Sequence, residues 1–348
     1  MGGGATVTDL PARWRSDEWR AELEGWLVPA IEATGRRVTG PLVQERVRFW
    51  STVLTVETDH GKVWVKENAP SQAFEAALAQ VVEEVVPGTG APIVAVEPDR
   101  GWLATADLGA PMWHDDTVPP LESWVATARQ YATAQRLLAD HEDRMLASGL
   151  SRFASEPERV VAWCEALLSS LLGLPADDPR RPTTDEVSQV RDGLGRVEEA
   201  AAALEASGLP HSLQHNDLHL RNAFPLGDGA AIIDLGDALW AHPLTVTRIP
   251  MWILRSRGDL APDHPDLRAV EDAFLEPWAD VGDAGGVESL RALLPAADRI
   301  SCLHRAESWR RLMGDVPFRC VDEVFQRSVT EWLVDATAPD PYSSAIAR

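Results

Sequence analysis

Cysteine is scarce in this chain. Its three Cys, at 164, 302 and 320, lie far apart with no CxxC spacing. That excludes a zinc knuckle and a disulfide framework, and it fits a reduced, cytoplasmic setting. Positive charge is also short: 32 Lys plus Arg stand against 54 Asp plus Glu, for a net charge of -22. A sequence-independent nucleic-acid binder needs cationic cover for phosphates, so that class is disfavoured, as is an anionic membrane surface. The acidity favours solubility, and it also attracts a cationic ligand. Long apolar runs are missing, and no stretch approaches the length that spans a bilayer. The start, MGGGATVTDLPARW, has no apolar run after a basic beginning and so is not a secretory signal. Met1-Gly2 with Thr6 fits the loose myristoylation pattern, although a flexible tail is the expectation. Internal repeats and low-complexity segments are absent.

What is there suits a folded protein of two lobes. The chain has 348 residues, long for a single core, with 45% hydrophobic residues and 14 Trp to divide between cores and pocket walls. Trp19, Leu23, Trp26, Leu27 and Ile31 recur at helical spacing and predict a helix over 15–34. Three β-like runs follow at 38–47, 52–57 and 63–67; the last two, joined by Thr58-Asp59-His60-Gly61, read as a hairpin. A helix over 71–86 with Ser71 as N-cap comes next, then strands at 93–96 and 102–106. The remainder reads as helical over 121–148, 155–173, 185–206 and 287–334. Two β-flavoured islands, 212–215 and 231–235, interrupt it.

Polar residues crowd around those islands. The first continues as His215-Asn216-Asp217-Leu218-His219-Leu220-Arg221-Asn222, and the second ends Ile232-Ile233-Asp234-Leu235-Gly236-Asp237. An Asp thus lies five residues before an Asn, and a second Asp closes an apolar run twelve residues later. Phosphoryl transfer needs a base near the acceptor hydroxyl and oxygen ligands for Mg²⁺, which neutralises the phosphates. One carboxylate and one Asn carbonyl suffice when phosphates complete the shell. Asp217 is the candidate base, with Asn222 and Asp234 as metal ligands. Two other readings remain open from the residues alone. His215, Asp217 and His219 alternate and could share one side of an extended segment as a transition-metal cluster of a metal-dependent hydrolase. Alternatively, the polar residues could simply satisfy a buried turn.

These motifs, from His215-Asn216-Asp217 to Asn222 and from Ile233 to Gly236, resemble those of the aminoglycoside phosphotransferase and choline kinase superfamily, relatives of protein kinases. The likeness runs over roughly residues 40 to 330 and is strongest at 212–243. It implies ATP and Mg²⁺ as cofactors. Val63-Trp64-Val65-Lys66 is similar to the strand bearing the phosphate-binding lysine, with Glu75 as its expected ion-pair partner and Glu83 or Glu84 as alternatives. Phe49-Trp50-Ser51-Thr52 stands where the nucleotide-positioning loop belongs, so Ser51 is expected to donate to a phosphate. Thr105, Ala106 and Asp107 stand at the hinge that holds adenine. His219 and Asp237 are candidates to contact the phosphoryl group or the acceptor; capping the loop is an equal role for His219.

The departures matter too. The chain has no GxGxxG loop, and no APE-like segment follows Asp234. Instead Asp237-Ala238-Leu239-Trp240-Ala241-His242-Pro243 is expected to lead directly into a helix. A peptide acceptor needs that longer segment, so a small molecule is favoured. The resemblance therefore implies a bilobal α+β fold, with a β-rich N-terminal lobe over 1–109 and a mainly helical lobe over 110–348. The implied activity is transfer of the γ-phosphoryl group to a hydroxyl of an aminoglycoside, amino sugar, sugar or amino alcohol. Net charge and Asp237 lean toward a cationic acceptor. The alternative from another class is a nucleotide-binding pseudokinase that acts as an interaction module.

Overall fold

The computed structural model describes residues 7–281 and 285–342. The myristoylation-like start at residues 1–6 lies outside the described residues. Five antiparallel strands form the N-terminal lobe: β1 (Val43–Val47), β2 (Ser51–Thr58), β3 (Gly61–Asn68), β4 (Ile93–Glu97) and β5 (Trp102–Ala106), in the spatial order β1-β2-β3-β5-β4. The β2–β3 register, Thr58 opposite Gly61 and Val53 opposite Lys66, is set by the tight turn at Asp59-His60. Gly61 has a φ of 96°, which a side chain adopts only under strain. Val63 and Val65 on β3 are buried, so the intervening Trp64 and Lys66 face the other way, as strand alternation requires. β1 is shorter than the 38–47 run suggests. Val38 makes only an isolated bridge to Thr58, and Gly40-Pro41 interrupts the pairing.

Two N-terminal helices, α1 (Leu10–Trp14) and α2 (Asp17–Glu32), dock against this sheet. Their anchor is Glu67 on β3, 5% exposed. Its carboxylate accepts the indole N–H groups of Trp14 (2.9 Å), Trp19 (2.7 Å) and Trp102, and pairs with Arg13. A buried carboxylate is tolerable only when it is hydrogen-bonded in this way. Several of the Trp residues thus do polar as well as apolar work.

α3 (Glu75–Val85) starts later than expected, after a 3₁₀ turn at Pro70–Gln72. Ser71 does not cap it. The Ser71 backbone N–H donates to Asp315 Oδ2 at 2.9 Å, tying this turn to the other lobe. Leu78 and Val82 of α3 share a core with Leu138, Met145, Leu213, Leu235 and Trp240, which bolts α3 to the segments carrying the polar motifs.

The remainder is mainly helical: α4 (Leu121–Leu138), α5 (Glu142–Ala147), α6 (Pro157–Leu172), α7 (Thr184–Ala206), α8 (Arg248–Gly258), α9 (Pro265–Leu275), α10 (Val287–Arg291), α11 (Leu294–Asp315) and α12 (Ser328–Thr337). The long helix expected over 121–148 is broken at Ala139–His141, a 3₁₀ turn. α7 opens with a reciprocal capping box between Thr183 and Glu186. A Cβ at Gly193 would collide with Thr337 of α12, so only glycine permits this helix contact. α11 is buried on nearly every side, from Ala297 to Trp309, and forms the spine of the lobe.

The motif segments sit on two small hairpins. β6 (Ser212–Gln214) pairs with β9 (Leu239–Ala241), and β7 (Ala223–Leu226) pairs with β8 (Gly229–Ile232). β9 and the 3₁₀ turn at Pro243–Thr247 intervene where a direct run into a helix was expected. Three residues are too few for a strand to announce itself by alternation. The architecture is the bilobal α+β fold that the sequence motifs implied. Among the described residues, no helix is long and apolar enough to cross a membrane. Cys164 and Cys302 are buried free thiols whose ionisation burial pushes up to about 12.

Candidate active site

A cleft of about 450 Å³ separates the lobes, within the range of small-molecule sites. Its walls include Val53, Lys66, Glu75, Thr105, Ala106, Asp107, Leu108, Phe224, Ile232 and Asp234. Lys66 projects from β3, and its Nζ donates to Glu75 Oε2 at 2.7 Å and to Asp234 Oδ1. Burial alone would lower the lysine's pKa; the Asp234 and Glu75 carboxylates override this and raise it, so the ammonium is permanent. The same ammonium holds Asp234 below its ordinary range against the opposing effect of burial. Glu75 also accepts the Leu235 backbone N–H at 2.9 Å, so α3 grips the turn after Asp234 directly. Glu83 and Glu84 are engaged elsewhere, with Gly88 and Arg144. The chain holds only two lysines, Lys62 and Lys66. A lysine where arginine serves elsewhere as the cation was a usable compositional signal for this position.

Asp234 occupies the left-handed region, with φ of 70°, and Asn216 does the same at 67°. Such backbone persists where surrounding contacts impose it, and it clusters at functional sites. Here Asn216 Nδ2 donates to the backbone oxygens of His304 (3.0 Å) and Asp237 (3.3 Å). Asn222 Nδ2 donates to the Asp217 backbone oxygen at 3.1 Å, which leaves its Oδ1 as the available oxygen. Asn222 Oδ1 and the Asp234 carboxylate are hard oxygens, the donor type that Mg²⁺ takes when phosphates complete its shell.

The transition-metal reading fails on hydrogen bonding. His215 Nε2 is 3.0 Å from the Ile233 backbone oxygen, and its Nδ1 accepts the Asp217 backbone N–H at 3.3 Å. Both nitrogens are consumed, and burial lowers the pKa of this imidazole. Among the described residues, no group of three or more His, Cys, Asp or Glu could hold a metal ion.

The Asp217 carboxylate is about 30% exposed. Burial pushes its pKa up; the Arg305 guanidinium, with His219 and His215, outweighs burial and holds the carboxyl well below the usual range. His219 Nε2 lies 3.6 Å from Asp217 Oδ2, and its buried Nδ1 has no partner among the described residues.

At three expected positions the geometry adds what the sequence did not show. Ser51 is 1% exposed, its Oγ has no hydrogen-bond partner among the described residues, and it does not line the cleft. The β1–β2 tip instead reaches the other lobe: Trp50 packs edge-on against Trp309 (6.2 Å) and Phe325 (5.5 Å), which themselves stack at 4.8 Å. At the hinge, the Ala106 and Asp107 N–H groups are already spent on Pro92 and Lys62 oxygens. Leu108, also on the cleft wall, makes no backbone hydrogen bond through its N–H among the described residues. The Asp237 carboxylate already accepts from Gln72 Nε2 at 2.6 Å, from Ser308 Oγ, and from Arg305 Nη1 at 3.1 Å.

Arg305 is the residue that sequence reasoning missed. It projects from α11, a helix with no motif and no polar stripe, and only the fold brings it to Asp217.

No protein-family model matches this chain, and no curated protein matches it. Solved structures do. The chain is similar to a macrolide 2'-phosphotransferase type I, with TM-score 0.55 and 13% identity over 94% of this chain and 99% of that one. It is similar to an ethanolamine kinase from Plasmodium vivax, with TM-score 0.57 and 13% identity over 86% and 82% of the respective chains. It is similar also to amicoumacin kinase hAmiN in complex with AMP-PNP, Ca²⁺ and Ami, with TM-score 0.54 and 11% identity over 95% and 96%. At these identities the likeness concerns the backbone, and it establishes that the chain has the bilobal fold of these small-molecule kinases.

Proposed function

We propose that the chain is a phosphotransferase that moves the γ-phosphoryl group of ATP to a hydroxyl of a small molecule. The observation that carries this reading is Lys66, fixed between Glu75 and Asp234 on the wall of the interlobe cleft. A permanent ammonium beside a carboxylate is what nucleotide phosphates and their divalent ion require. Lys66 binds phosphate oxygens, Glu75 holds Lys66 and the Leu235 backbone, and Leu108, with Thr105, Ala106 and Asp107 around it, frames the adenine. Asn222 and Asp234 would hold Mg²⁺, which supplies charge neutralisation on the phosphates when bound. Asp217 orients the acceptor hydroxyl and takes its proton. Its depressed pKa makes it a weak base, so orientation is its larger contribution. His219, whose Nε2 lies 3.6 Å from Asp217 Oδ2, is the candidate to meet the transferred group or the acceptor.

The neighbours support a small acceptor: their names specify a macrolide, ethanolamine and amicoumacin. The deciding experiment measures ATP turnover against a panel of macrolides, aminoglycosides, amino sugars, sugars and amino alcohols. Asp217→Asn should retain nucleotide affinity and lose on the order of 10²–10⁴-fold in transfer to the best acceptor. Nucleotide binding with no turnover on any acceptor, in the unaltered protein, would favour the interaction-module reading instead.

A further inference from the structure

Resting on that reading, we propose that Arg305 is a positioning residue for the catalytic aspartate, so that helix α11 sets the geometry of the acceptor side. A single guanidinium nitrogen, Nη1, makes three contacts of graded length. It donates to the Asn216 backbone oxygen at 3.0 Å and to Asp237 Oδ2 at 3.1 Å, and it stands 3.5 Å from Asp217 Oδ1. The two short contacts go to groups that do not react. The long one goes to the carboxylate that does.

This grading has a chemical consequence. Asp217 Oδ1 faces Arg305 at 3.5 Å and Oδ2 faces His219 at 3.6 Å, so each oxygen is flanked by a donor without being captured by it. The plane of the carboxylate is set from two sides, and its lone pairs remain open to an incoming hydroxyl. An arginine that hydrogen-bonded Asp217 at full strength would compete with the acceptor for those lone pairs.

Arg305 is itself fixed. Its side chain is 10% exposed, and its guanidinium lies 5.9 Å from the ring centres of both Trp309 and Trp332, near enough for cation–π attraction. Asp237, its anchor, is held in turn by Ser308 of the same helix and by Gln72 at the foot of the N-terminal lobe. The line Gln72–Asp237–Arg305–Asp217 therefore runs from one lobe to the reacting carboxylate. The bland alternative is that Arg305 only neutralises buried Asp237. That role needs no contact with the Asn216 oxygen and no approach to Asp217.

The test uses Arg305→Met, Arg305→Lys and Asp237→Asn. Affinity for Mg·AMP-PNP is read by calorimetry, and kcat is read on the best acceptor from the panel. Arg305→Met should lower kcat on the order of 10²-fold, the cost of a misplaced reacting group, with Mg·AMP-PNP affinity unchanged. Arg305→Lys should recover part of the loss, because a cation returns without the fork. Asp237→Asn should fall between the two, and the double variant Arg305→Met/Asp237→Asn should be no slower than Arg305→Met, since the pair acts as a unit. Unchanged kcat in Arg305→Met overturns the proposal. So does parallel loss of kcat and nucleotide affinity with no recovery in Arg305→Lys, which marks a merely structural prop. If Arg305→Met does not fold, Arg305→Lys and Asp237→Asn still decide by the same split. A failure of the phosphotransferase reading is separable, because it appears in the unaltered protein as absent Mg·AMP-PNP binding or absent transfer.

Discussion

Half-buried Lys66 and buried Arg305 are cations set between two carboxylates, one on each side of the site. Lys66 lies between Glu75 and Asp234; Arg305 lies between Asp237 and Asp217. On the proposed reading, in each pair one carboxylate holds the cation and the other belongs to the chemistry. The difference lies in how the cation is used. Lys66 presses its functional partner closely, as suits a point charge that must also meet phosphates. Arg305 spends its short contacts on its supports and leaves 3.5 Å to Asp217. On the proposed reading, the nucleotide side is thus built for charge and the acceptor side for orientation. The lobes also meet at the Trp50–Trp309–Phe325 cluster, with Trp309 one helical turn from Arg305.

This comparison can be broken most directly at Lys66. Lys66→Met removes a preorganised electrostatic contact and leaves Asp234 without its cation. Transfer should fall on the order of 10²–10³-fold. Unlike Arg305→Met, it should weaken Mg·AMP-PNP binding as well. Titration of both variants with that nucleotide checks the contrast, and equal behaviour of the two would erase it.

A second test asks whether α11 is a stable base for the acceptor side. Behind Arg305, a cavity of about 130 Å³ is lined by His211, His242, His304, Ser155 and Glu205. Burial first, and His211 second, hold His242 and His304 to pKa values of about 3, against an ordinary 6.5. His211 is also lowered, by burial and Arg152, with Glu156 opposing. A depressed histidine pKa means the unfolded chain binds the extra proton first. Stability is therefore full above pH 6.5 and declines as pH falls from there toward 3. At pH 5 the loss should be about 2 kcal/mol for each of His242 and His304. Urea unfolding at pH 7 and pH 5 measures it. A flat profile would mean that acid is accommodated in the cavity and that α11 is more tolerant than its packing suggests.

The smallest effect is expected at the junction of the lobes. Trp50→Ala deletes the two aromatic pairs that cross to the other lobe, each contributing about 0.5–1.5 kcal/mol beyond its buried area. Stability should drop by about 1–3 kcal/mol by chemical denaturation. Because Trp50 sits at the β1–β2 tip of the sheet that carries Lys66 and packs on Trp309, one turn from Arg305, transfer should decline modestly on both nucleotide and acceptor sides. A change confined to one side would show that the tip serves that lobe alone.

Local pattern made the nucleotide side legible. Lys66 follows an alternating strand, Glu75 begins the next helix nine residues on, and Asp217, Asn222 and Asp234 stand at spacings that phosphoryl transfer uses. Asp217 and Asn222 meet through a bond spanning five residues, short enough for spacing to predict. The same pattern did not show where Ser51 would sit, because nothing local reveals that a hairpin tip carrying Phe49 and Trp50 will bury itself against the opposite lobe. It did not show the surroundings of Asp237 for a related reason: its partners Gln72, Arg305 and Ser308 are 165, 68 and 71 residues away.

What the sequence determined by itself was therefore the inventory of the chemistry and the order of strands and helices, since both rest on short-range periodicity and spacing. Tertiary structure alone decided which of those polar groups remain open to a ligand. A carboxylate such as Asp237 or a backbone N–H such as that of Asp107 is available only if the fold has not already hydrogen-bonded it. The fold also chose the cation beside Asp217. α11 is buried on nearly every side and carries several arginines, and only its packing beneath the catalytic loop singles out Arg305. Hydrogen bonds and ion pairs act over a few ångströms in space, whatever the distance along the chain.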